Sequence, residues 1–439
     1  MRIVVVGGGI AGLAAAMRVR ELRPDAVLTV VEQAAQPGGK LRTGVIAGAG
    51  VELGAESFLV RDPAAVELAM RLGLDVVHPA GLSAAVAFGG GMHPLPPGTV
   101  MGIPADAPED DRGEPVLAPG QDVAVGALVR SRIGDEIVDR YVDPLLGGVY
   151  AGRADDLSVR ATMPNLATLA ETATTLTGAV RMARAATADR AGGPIFGTIA
   201  GGMSRLVEAV AAAAKADIRL GLPVRELAPT PTGWRLAIGA TRDPVHLDAD
   251  GVVLAVPARP AARLLEATSP DAAAEVGALD YASVALVTLA FPAGTVLPDI
   301  SGFLVPATEG YAIKAATYFT QKWPHLAGGP VLVRASVGRY GEEHALQHDD
   351  PGLVALVREE LSAFVELPAP VATSVTRWGG GLPQYRPGHL DRVERARAAV
   401  PPTLTLAGAA YDGVGIPACV RSGQAAAAAL VATLADYEP

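Results

Sequence analysis

Apolar and polar positions in the first fifty residues follow the order of a β–α–β unit. Residues 3–6 are wholly apolar, as is typical of a parallel strand that is buried on both faces. Residues 13–22 have helical periodicity and end before Pro24, and Val27–Val31 forms a second apolar run. The pattern predicts a strand, a helix and a second parallel strand at the start of the chain.

The rest of the chain divides into a helical stretch and a mixed stretch. Helical periodicity dominates residues 86–196, in three segments at 123–133, 135–142 and 164–188. After residue 197, apolar runs of strand length alternate with helical segments. We predict strands at 234–236, 245–247, 252–256, 282–291, 331–337 and 403–406, and helices at 204–215, 259–267, 351–364 and from 422 onward.

A glycine cluster joins the first predicted strand to the first predicted helix. Gly7, Gly9 and Gly12 match the GxGxxG pattern, and Glu32 ends the second strand, 20 residues after Gly12. In this context Gly7 permits a tight turn, Gly9 lets the backbone approach a pyrophosphate, and Gly12 lets helix and strand pack closely. The pyrophosphate would lie at the helix N-terminus, and the acid would accept hydrogen bonds from a ribose. The sequence therefore predicts a dinucleotide site formed by Gly7, Gly9, Ile10, Ala11, Gly12 and Glu32.

A second glycine loop, QPGGKLRT, follows at residues 36–43. An NAD site needs no such loop, and the segment resembles the second FAD signature of the flavin amine oxidase superfamily. The resemblance implies that Gly39 and Lys40 run alongside FAD and that Arg42 lies near its phosphates. It also implies that one later segment passes close to the flavin and that a valine contacts the adenine through its backbone. These residues are Gly54, Ala55, Glu56 and Ser57 for the flavin, and Val224 for the adenine.

Several later motifs narrow the family. They are HPLPPGTVMGIP at 93–104, PLLGGVYAG at 144–152, GGM at 201–203, LAVPA at 254–258, RW at 377–378 and AGAAYDGVGIPAC at 407–419. Together they resemble the oxygen-dependent porphyrinogen oxidases, which include protoporphyrinogen IX oxidases and the coproporphyrinogen III oxidases of Gram-positive bacteria. The resemblance extends over essentially the whole chain, and the MGIP loop is similar to the soluble Gram-positive branch, which acts on coproporphyrinogen.

The last motif also has a physical logic of its own. A strand at 403–406 leads into a loop, and Pro417 lies in the first turn of the following helix, where its missing N–H costs nothing. A helix N-terminus at this loop would stabilise the anionic reduced flavin. The cofactor contacts that we expect in this part of the chain are Trp378, Gly408, Val414, Gly415 and Ile416. Cys419 is expected to be a buried packing thiol, because the family that the chain resembles holds FAD non-covalently.

These features predict an α/β fold class with three parts. A Rossmann-like FAD-binding domain is assembled from three segments, residues 1–60, 197–257 and 376–439. A helical insert domain occupies 86–196. A mixed-sheet substrate domain is formed by 61–85 and 258–375, and the two inserts would enclose a pocket over the flavin.

Composition and charge exclude several classes of protein. A net charge of −10 and only 19 Phe, Tyr and Trp residues among 439 argue against a nucleic-acid partner. Cys419 is the single cysteine, which excludes intramolecular disulfides and multi-cysteine metal sites and favours the cytoplasm. His344 and His348 have metal-like spacing but lack the Glu of an HExxH motif, so we expect no metal. We expect neither a signal peptide nor a transmembrane segment; peripheral membrane contact is left open.

The resemblance implies the six-electron oxidation of coproporphyrinogen III to coproporphyrin III in haem biosynthesis, with O₂ as acceptor and three H₂O₂ formed. Hydride would pass from a meso carbon to flavin N5 in each of three cycles, and no catalytic base is assigned. The substrate carboxylates need cationic partners, for which the candidates are Arg61 and Lys314.

Four alternatives stay open at this stage. The substrate of the same chemistry could be protoporphyrinogen IX, or the chain could be another superfamily member, either an amine oxidase or a carotenoid desaturase. The fourth alternative is not an enzyme: the chain could be a porphyrin carrier that delivers coproporphyrin to a ferrochelatase. A ferrochelatase is also a candidate recipient of the product of an oxidase.

Overall fold

A five-stranded parallel sheet unites the three segments that the sequence assigns to one domain. The computed structural model describes residues 1–109, 111–188 and 193–436. Val4, in the central strand, pairs with Thr29 on one side and with Val252 on the other. In spatial order the strands are Asp217–Arg219, Val27–Val31, Arg2–Val6, Gly251–Leu254 and Leu404–Leu406. The predicted β–α–β start of the chain is confirmed.

Helices cover both faces of this sheet, which explains why the first strand is wholly apolar. Ile3 and Val5 point to one face and Val4 and Val6 to the other, as the alternation of side chains along a strand requires. The first face is covered by Ile10–Leu22, Ser204–Ala214 and Ile416–Asp436. The second face is covered by Ala258–Leu265, Pro270–Gly277 and His389–Ala399.

The first and last of these helices approach each other until their backbones touch. A Cβ atom on Gly423 would collide with the carbonyl oxygen of Ala11, so only glycine fits at this crossing. The last helix begins at Ile416 and has Pro417 in its first turn, as predicted. By length and composition it is the one helix among the described residues that could cross a membrane, and half of its most apolar window is buried within the protein.

A three-stranded antiparallel sheet lies next to the five-stranded sheet. It consists of Val224–Thr230, Gly233–Ala240 and Asp243–Ala249, and it contains the predicted hairpin. The N–H of Leu222 donates to the carbonyl oxygen of Glu32 at 3.0 Å, which brings the start of this sheet to the end of the second parallel strand.

A seven-stranded sheet forms the mixed part of the fold. Its strands in spatial order are Ala372–Pro383, Tyr281–Phe291, Val331–Val337, Ile313–Tyr318, Gly302–Leu304, Ala84–Phe88 and Gly91–Pro94. Neighbouring strands are antiparallel except for one parallel pair, Gly302–Leu304 with Ala84–Phe88. Helix Asp350–Ser362 packs on one face. The predicted mixed sheet is thus present, with strands 282–291 and 331–337 in their predicted places.

Two predicted domain boundaries fall inside strands of this sheet. The boundary at 86 cuts Ala84–Phe88, which pairs with Gly91–Pro94 at the sheet edge. The boundary at 376 cuts Ala372–Pro383, which pairs with Tyr281–Phe291 over nearly its whole length. Each strand also has a partner distant in the sequence, Gly302–Leu304 for the first and Tyr281–Phe291 for the second, and a local pattern carries no information about such pairing.

The helical insert has a hydrophobic core of its own. Helices at 123–133 and 135–142 are confirmed, the latter containing a π-helical turn at Val138–Val142. The predicted helix 164–188 is two helices with a break after Ala170. The insert contains Val125–Arg132, Asp135–Ile137, Val138–Val142, Asp143–Tyr150, Val159–Thr162, Pro164–Ala170 and Leu176–Ala188.

Short elements complete the chain. The remaining strands form three small groups: Thr43–Ile46 with Ala49–Glu52; Phe58–Leu59 and Val76–Val77 on either side of Phe196–Ile199; and Thr99–Val100 with Ile103–Pro104. The remaining α-helices are Pro63–Arg71, Phe319–Lys322 and Ala409–Asp412, and the 3₁₀ turns are Ala307–Glu309, Pro324–Leu326 and His344–Gln347. His348 lies beyond the last of these turns, so the paired-histidine spacing is not helical. No group of three His, Cys, Asp or Glu side chains among the described residues is placed to hold a metal ion.

We expect Gly423→Val to lower the free energy of unfolding by about 3 kcal/mol, because the added atoms must displace the backbone of the first helix. Ala425→Val is the matched control, since Ala425 is exposed on the same helix. Chemical denaturation of both variants measures the difference. Equal stabilities would contradict the close packing of these helices.

Candidate functional site

The glycine turn has no room for side chains on its inner side. A Cβ atom on Gly7 would lie 2.5 Å from the carbonyl oxygen of Ala255, and one on Gly12 would collide with the carbonyl oxygen of Gly7. Gly9 caps the N-terminus of helix Ile10–Leu22, and nothing lies within 4 Å of the position that its Cβ would take. The helix N-terminus is therefore open on this side, where a diphosphate could accept hydrogen bonds from its unpaired N–H groups.

Glu32 faces the same turn from the end of the second strand. Its carboxylate accepts hydrogen bonds from the N–H groups of Gly8 and Ala34, both at 2.7 Å. Each carboxylate oxygen has a further lone pair that could accept a bond from a ribose hydroxyl. Val224, the residue expected to contact adenine, begins its strand two residues after Leu222, whose N–H donates to the carbonyl oxygen of Glu32.

The second glycine loop lies directly against the first. The N–H of Gly38 donates to the carbonyl oxygen of Gly8 at 2.7 Å, and a Cβ on Gly39 would be 3.3 Å from the Cα of Gly9. Burial lowers the pKa of Lys40, whose ammonium group lies near the thiol of Cys419. The structure thus brings Gly39 and Lys40 to the open side of the glycine turn.

Arg42 is held over an aromatic ring. Its guanidinium carbon lies 5.4 Å from the ring centroid of Trp378. Trp378 donates its indole N–H to the carbonyl oxygen of Leu53 at 2.9 Å, and the N–H of Leu53 donates to the carbonyl oxygen of Arg42 at 2.8 Å. The Nε of Arg42 is buried and has no hydrogen-bond partner in the described part of the chain. A buried N–H of a cation without an acceptor is costly, and a phosphate oxygen would satisfy it.

The segment at 54–57 passes between this loop and Trp378. A Cβ on Gly54 would collide with the carbonyl oxygen of Lys40 and would lie 3.2 Å from the Trp378 ring. The N–H of Ala55 donates to the same carbonyl oxygen at 3.0 Å, and Ser57 is half-buried further along. The predicted flavin-side segment is therefore in direct contact with the predicted phosphate loop.

Glu56 is part of a largely buried ion triad that sequence reasoning missed. Its carboxylate accepts hydrogen bonds from the Lys322 ammonium and the Arg334 guanidinium. Burial alone would raise the pKa of Glu56, but the two cations hold that pKa below its ordinary value. Arg334 also donates to the carbonyl oxygens of Glu52 and Gly54, each at 3.0 Å. The triad ties the flavin-side segment to the seven-stranded sheet.

The last motif forms a fixed turn followed by an open helix start. The N–H of Gly408 donates to the Ser422 hydroxyl at 2.8 Å, and that hydroxyl donates to Asp412. A Cβ on Gly408 would be 3.8 Å from the side chain of Ala11, so the turn lies beside the first helix. Of the predicted flavin contacts, Val414 is half-buried, Gly415 is exposed and Ile416 is buried.

Cys419 lies one turn into this helix. The thiol is buried and donates a weak hydrogen bond to the carbonyl oxygen of Gly413, with 3.5 Å between sulfur and oxygen. Burial raises the pKa of Cys419 to about 11. The predicted buried thiol is confirmed, and it stays protonated at neutral pH.

The two cations expected to bind substrate lie in different environments. Arg61 is exposed between Phe58–Leu59 and helix Pro63–Arg71, and among the described residues it forms no ion pair. Lys314 is buried, and its ammonium donates to the carbonyl oxygen of Gly147 in the helical insert at 3.2 Å. Burial, together with the positive charges of two arginines, lowers the pKa of Lys314 to about 7. Among the described residues neither cation forms an ion pair, since Asp62, next to Arg61, pairs with Arg421, and the structure does not bring the two cations together in one contact.

The residues of the glycine turn, the second loop and the segment 54–57 thus form one continuous surface, and they fit a dinucleotide with a diphosphate. Two observations support this fit: the open space at Gly9 and the unpaired Nε of Arg42. Sequence reasoning missed Arg334 and Lys322. The one available signal was a charged residue in the middle of an apolar strand, VLVRASV at 331–337.

We expect Glu56→Gln to cost about 3 kcal/mol of stability, because it leaves two buried cations without their shared carboxylate. Glu275→Gln is the control, since Glu275 also pairs with two arginines, Arg392 and Arg395, but near the surface. Its effect should be much smaller. Denaturation curves give the free energy of unfolding of both variants. An equal loss in the two would show that the triad contributes no more than a surface ion pair.

Comparisons with known proteins assign the chain to a family. The family model of flavin containing amine oxidoreductases matches residues 10–431. A coproporphyrinogen III oxidase of Mycobacterium tuberculosis (strain ATCC 25618 / H37Rv) is 38% identical over 98% of this chain and 97% of its own length. The Bacillus subtilis (strain 168) protein of the same name is 33% identical over 97% and 96%.

Solved structures show the same architecture. A structure from Exiguobacterium sp. 255-15, ascribed to a protoporphyrinogen oxidase, has a TM-score of 0.86 and 32% identity, with 99% of both chains covered. Cyclohexylamine oxidase from Brevibacterium oxydans IH-35A has a TM-score of 0.72 over 99% of both chains, at 18% identity, which supports the fold alone. On the family match and the full-length relatives, the chain belongs to the family of flavin-containing amine oxidoreductases.

Proposed function

We propose that the protein is an FAD-dependent oxidase that converts coproporphyrinogen III to coproporphyrin III in haem biosynthesis. The observation that carries the proposal is the identity of 33–38%, over nearly the whole chain, with proteins named coproporphyrinogen III oxidase. The reaction removes six electrons and six protons from the substrate and reduces three O₂ to three H₂O₂. When bound, FAD would accept a hydride in each of three two-electron cycles and return the electrons to O₂.

The residues of this chain would bind and orient the cofactor. The N-terminus of helix Ile10–Leu22 and the Arg42 guanidinium would bind the diphosphate, and Glu32 would accept hydrogen bonds from the ribose. The start of helix Ile416–Asp436 would present backbone N–H groups and its positive dipole end to the bound flavin. Binding would be non-covalent, because the thiol of Cys419 is neutral and directed to a backbone carbonyl.

Substrate carboxylates would be bound by Arg61 and Lys314. An exposed arginine without an ion pair can form a bidentate contact with a carboxylate. Lys314, with its pKa near 7, would gain its proton when an anionic group lies beside it. No residue is assigned as a catalytic base, and positioning of the macrocycle is the main contribution of the protein.

The product, coproporphyrin III, would be available to a ferrochelatase. We place the reaction in the cytoplasm, since a chain with one cysteine needs no oxidising compartment.

Protoporphyrinogen IX oxidation is the second candidate function. It is favoured by the structural neighbour from Exiguobacterium and by a chloroplastic protoporphyrinogen oxidase of Oryza sativa subsp. japonica, 27% identical over 99% of this chain. The two substrates differ in the number of carboxylates, four against two, so the cationic residues should discriminate between them.

Anaerobic mixing of the flavin-loaded protein with coproporphyrinogen III tests the proposed function. We expect bleaching of the flavin absorption and, with O₂ present, three H₂O₂ per coproporphyrin. Primary amines and phytoene are the comparison substrates for the amine oxidase and carotenoid desaturase alternatives. Absence of bleaching by any porphyrinogen would refute an oxidase of this class, and binding of porphyrin without peroxide would identify a carrier.

We expect Arg61→Ala to raise KM for coproporphyrinogen III about tenfold, since a charge-assisted hydrogen bond is lost, and to raise KM for protoporphyrinogen IX less. Arg71→Ala is the control, because Arg71 lies at the far end of the following helix and pairs with Glu21. Steady-state kinetics on both substrates provide the comparison. An unchanged KM for both would exclude Arg61 from the site.

A further inference from the structure

Glu52 lies where the second glycine loop meets helix Ser204–Ala214. It ends strand Ala49–Glu52 and pairs in register with Thr43, and 9% of its surface is exposed. Its carboxylate accepts a hydrogen bond from the N–H of Met203 at 2.8 Å and another from the Thr43 hydroxyl at 3.2 Å. Both carboxylate oxygens of this buried acid thus lie within hydrogen-bond distance of polar groups of this chain.

Thr43 also joins the strand to the helix through a reciprocal pair. The N–H of Thr43 donates to the Ser204 hydroxyl at 2.9 Å, and the N–H of Ser204 donates to the Thr43 hydroxyl at 3.1 Å. Two N–H groups at the helix start are therefore satisfied by Glu52 and Thr43. Gly202 closes the junction with φ +106°, and a Cβ there would lie 2.5 Å from the Thr43 hydroxyl.

This junction is adjacent in sequence to Arg42. Thr43 directly follows Arg42, and Glu52 directly precedes Leu53, whose N–H donates to the Arg42 carbonyl oxygen. On its other side, Arg42 lies over Trp378, which is itself anchored to Leu53. The backbone of Arg42 is held by this network, while its buried Nε has no partner among the described residues.

We infer that Glu52 and Thr43 are positioning residues that fix Arg42 to receive the diphosphate of the cofactor. The inference rests on the proposed function, because it requires FAD to be the ligand. Neither carboxylate nor hydroxyl is assigned a contact with FAD: both are occupied by Met203 and Ser204. Their effect on the cofactor would therefore pass through Arg42.

The test is the affinity of the full-length apoprotein for FAD, measured by quenching of flavin fluorescence. We expect Thr43→Val, which removes the hydroxyl and keeps the shape, to weaken FAD binding about tenfold. Thr43→Ser should restore the affinity, and Glu208→Gln is the control, because Glu208 is an exposed acid on the same helix. With FAD at saturation, kcat and the KM for porphyrinogen should return to wild-type values.

A double-mutant cycle separates positioning from general stabilisation. In an Arg42→Ala background, Thr43→Val should have little further effect on FAD affinity, because the residue through which it acts is gone. Additive effects, or folded Thr43→Val protein with wild-type affinity, would overturn the inference. If Thr43→Val does not fold, Glu52→Gln and Ser204→Ala serve in the same cycle. Failure of the wild-type protein to bind FAD would instead refute the proposed function.

The pH dependence of stability is an independent readout on Glu52. Burial raises the pKa of Glu52 to about 7, against the opposing effects of the Met203 and Thr43 hydrogen bonds and of Arg334, while Glu56 raises it further. The folded state therefore binds the proton of Glu52 more tightly than the unfolded state does. The stability that this proton contributes is lost as pH rises through 7. The apoprotein should lose stability between pH 5 and about pH 8 more steeply than Glu52→Gln does. Parallel curves of stability against pH for the two proteins would contradict a buried Glu52 whose proton is bound more tightly in the folded state.

Discussion

Backbone contacts that leave no room for a Cβ atom hold the cofactor domain together. The carbonyl oxygens of Gly7, Lys40 and Ala11 each lie where a side chain on Gly12, Gly54 or Gly423 would begin. These three contacts join the glycine turn to its helix, the second loop to the flavin-side segment, and the first helix to the last. Because a backbone contact cannot adapt by changing rotamer, the relative positions of these elements are fixed. The open surface for a dinucleotide is what remains between them.

A second kind of contact connects this rigid part to the seven-stranded sheet. Arg334 reaches from the seven-stranded sheet to two carbonyl oxygens and one carboxylate of residues 52–56. Buried ion pairs add little net stability compared with apolar packing, but breaking one is costly. The triad of Glu56, Lys322 and Arg334 therefore specifies one arrangement of the two domains and disfavours others. The seven-stranded sheet and residues 52–56 are consequently held in a fixed relative position.

Sequence reasoning succeeded where the information is local. The first strand, the glycine turn and Glu32 lie within 32 residues of the start, and each is recognisable from its neighbours. Sequence reasoning failed where the interacting residues are far apart in the chain. Arg334 and Glu56 are separated by 278 positions, and the sequence around either residue does not indicate its partner. For the same reason the predicted boundary at 86 falls inside a strand: the pairing of Ala84–Phe88 with Gly302–Leu304 joins residues far apart in the sequence. Likewise, the cation of Lys314 could be proposed from sequence, but its burial against Gly147 could not.

The order of strands in the five-stranded sheet has a consequence for synthesis of the chain. The first strand needs residues 251–254 as its neighbour, and that strand in turn needs residues 404–406. Helix Ile416–Asp436, which packs against helix Ile10–Leu22 together with Ser204–Ala214, is separated from it by almost the whole described chain. A nascent chain therefore exposes part of the apolar surface of the first helix until these distant segments have been synthesised, a condition under which chaperone binding and aggregation compete with folding. A ligand that binds only the native state stabilises that state, so we expect the concentration of free flavin to influence how much newly made chain reaches it.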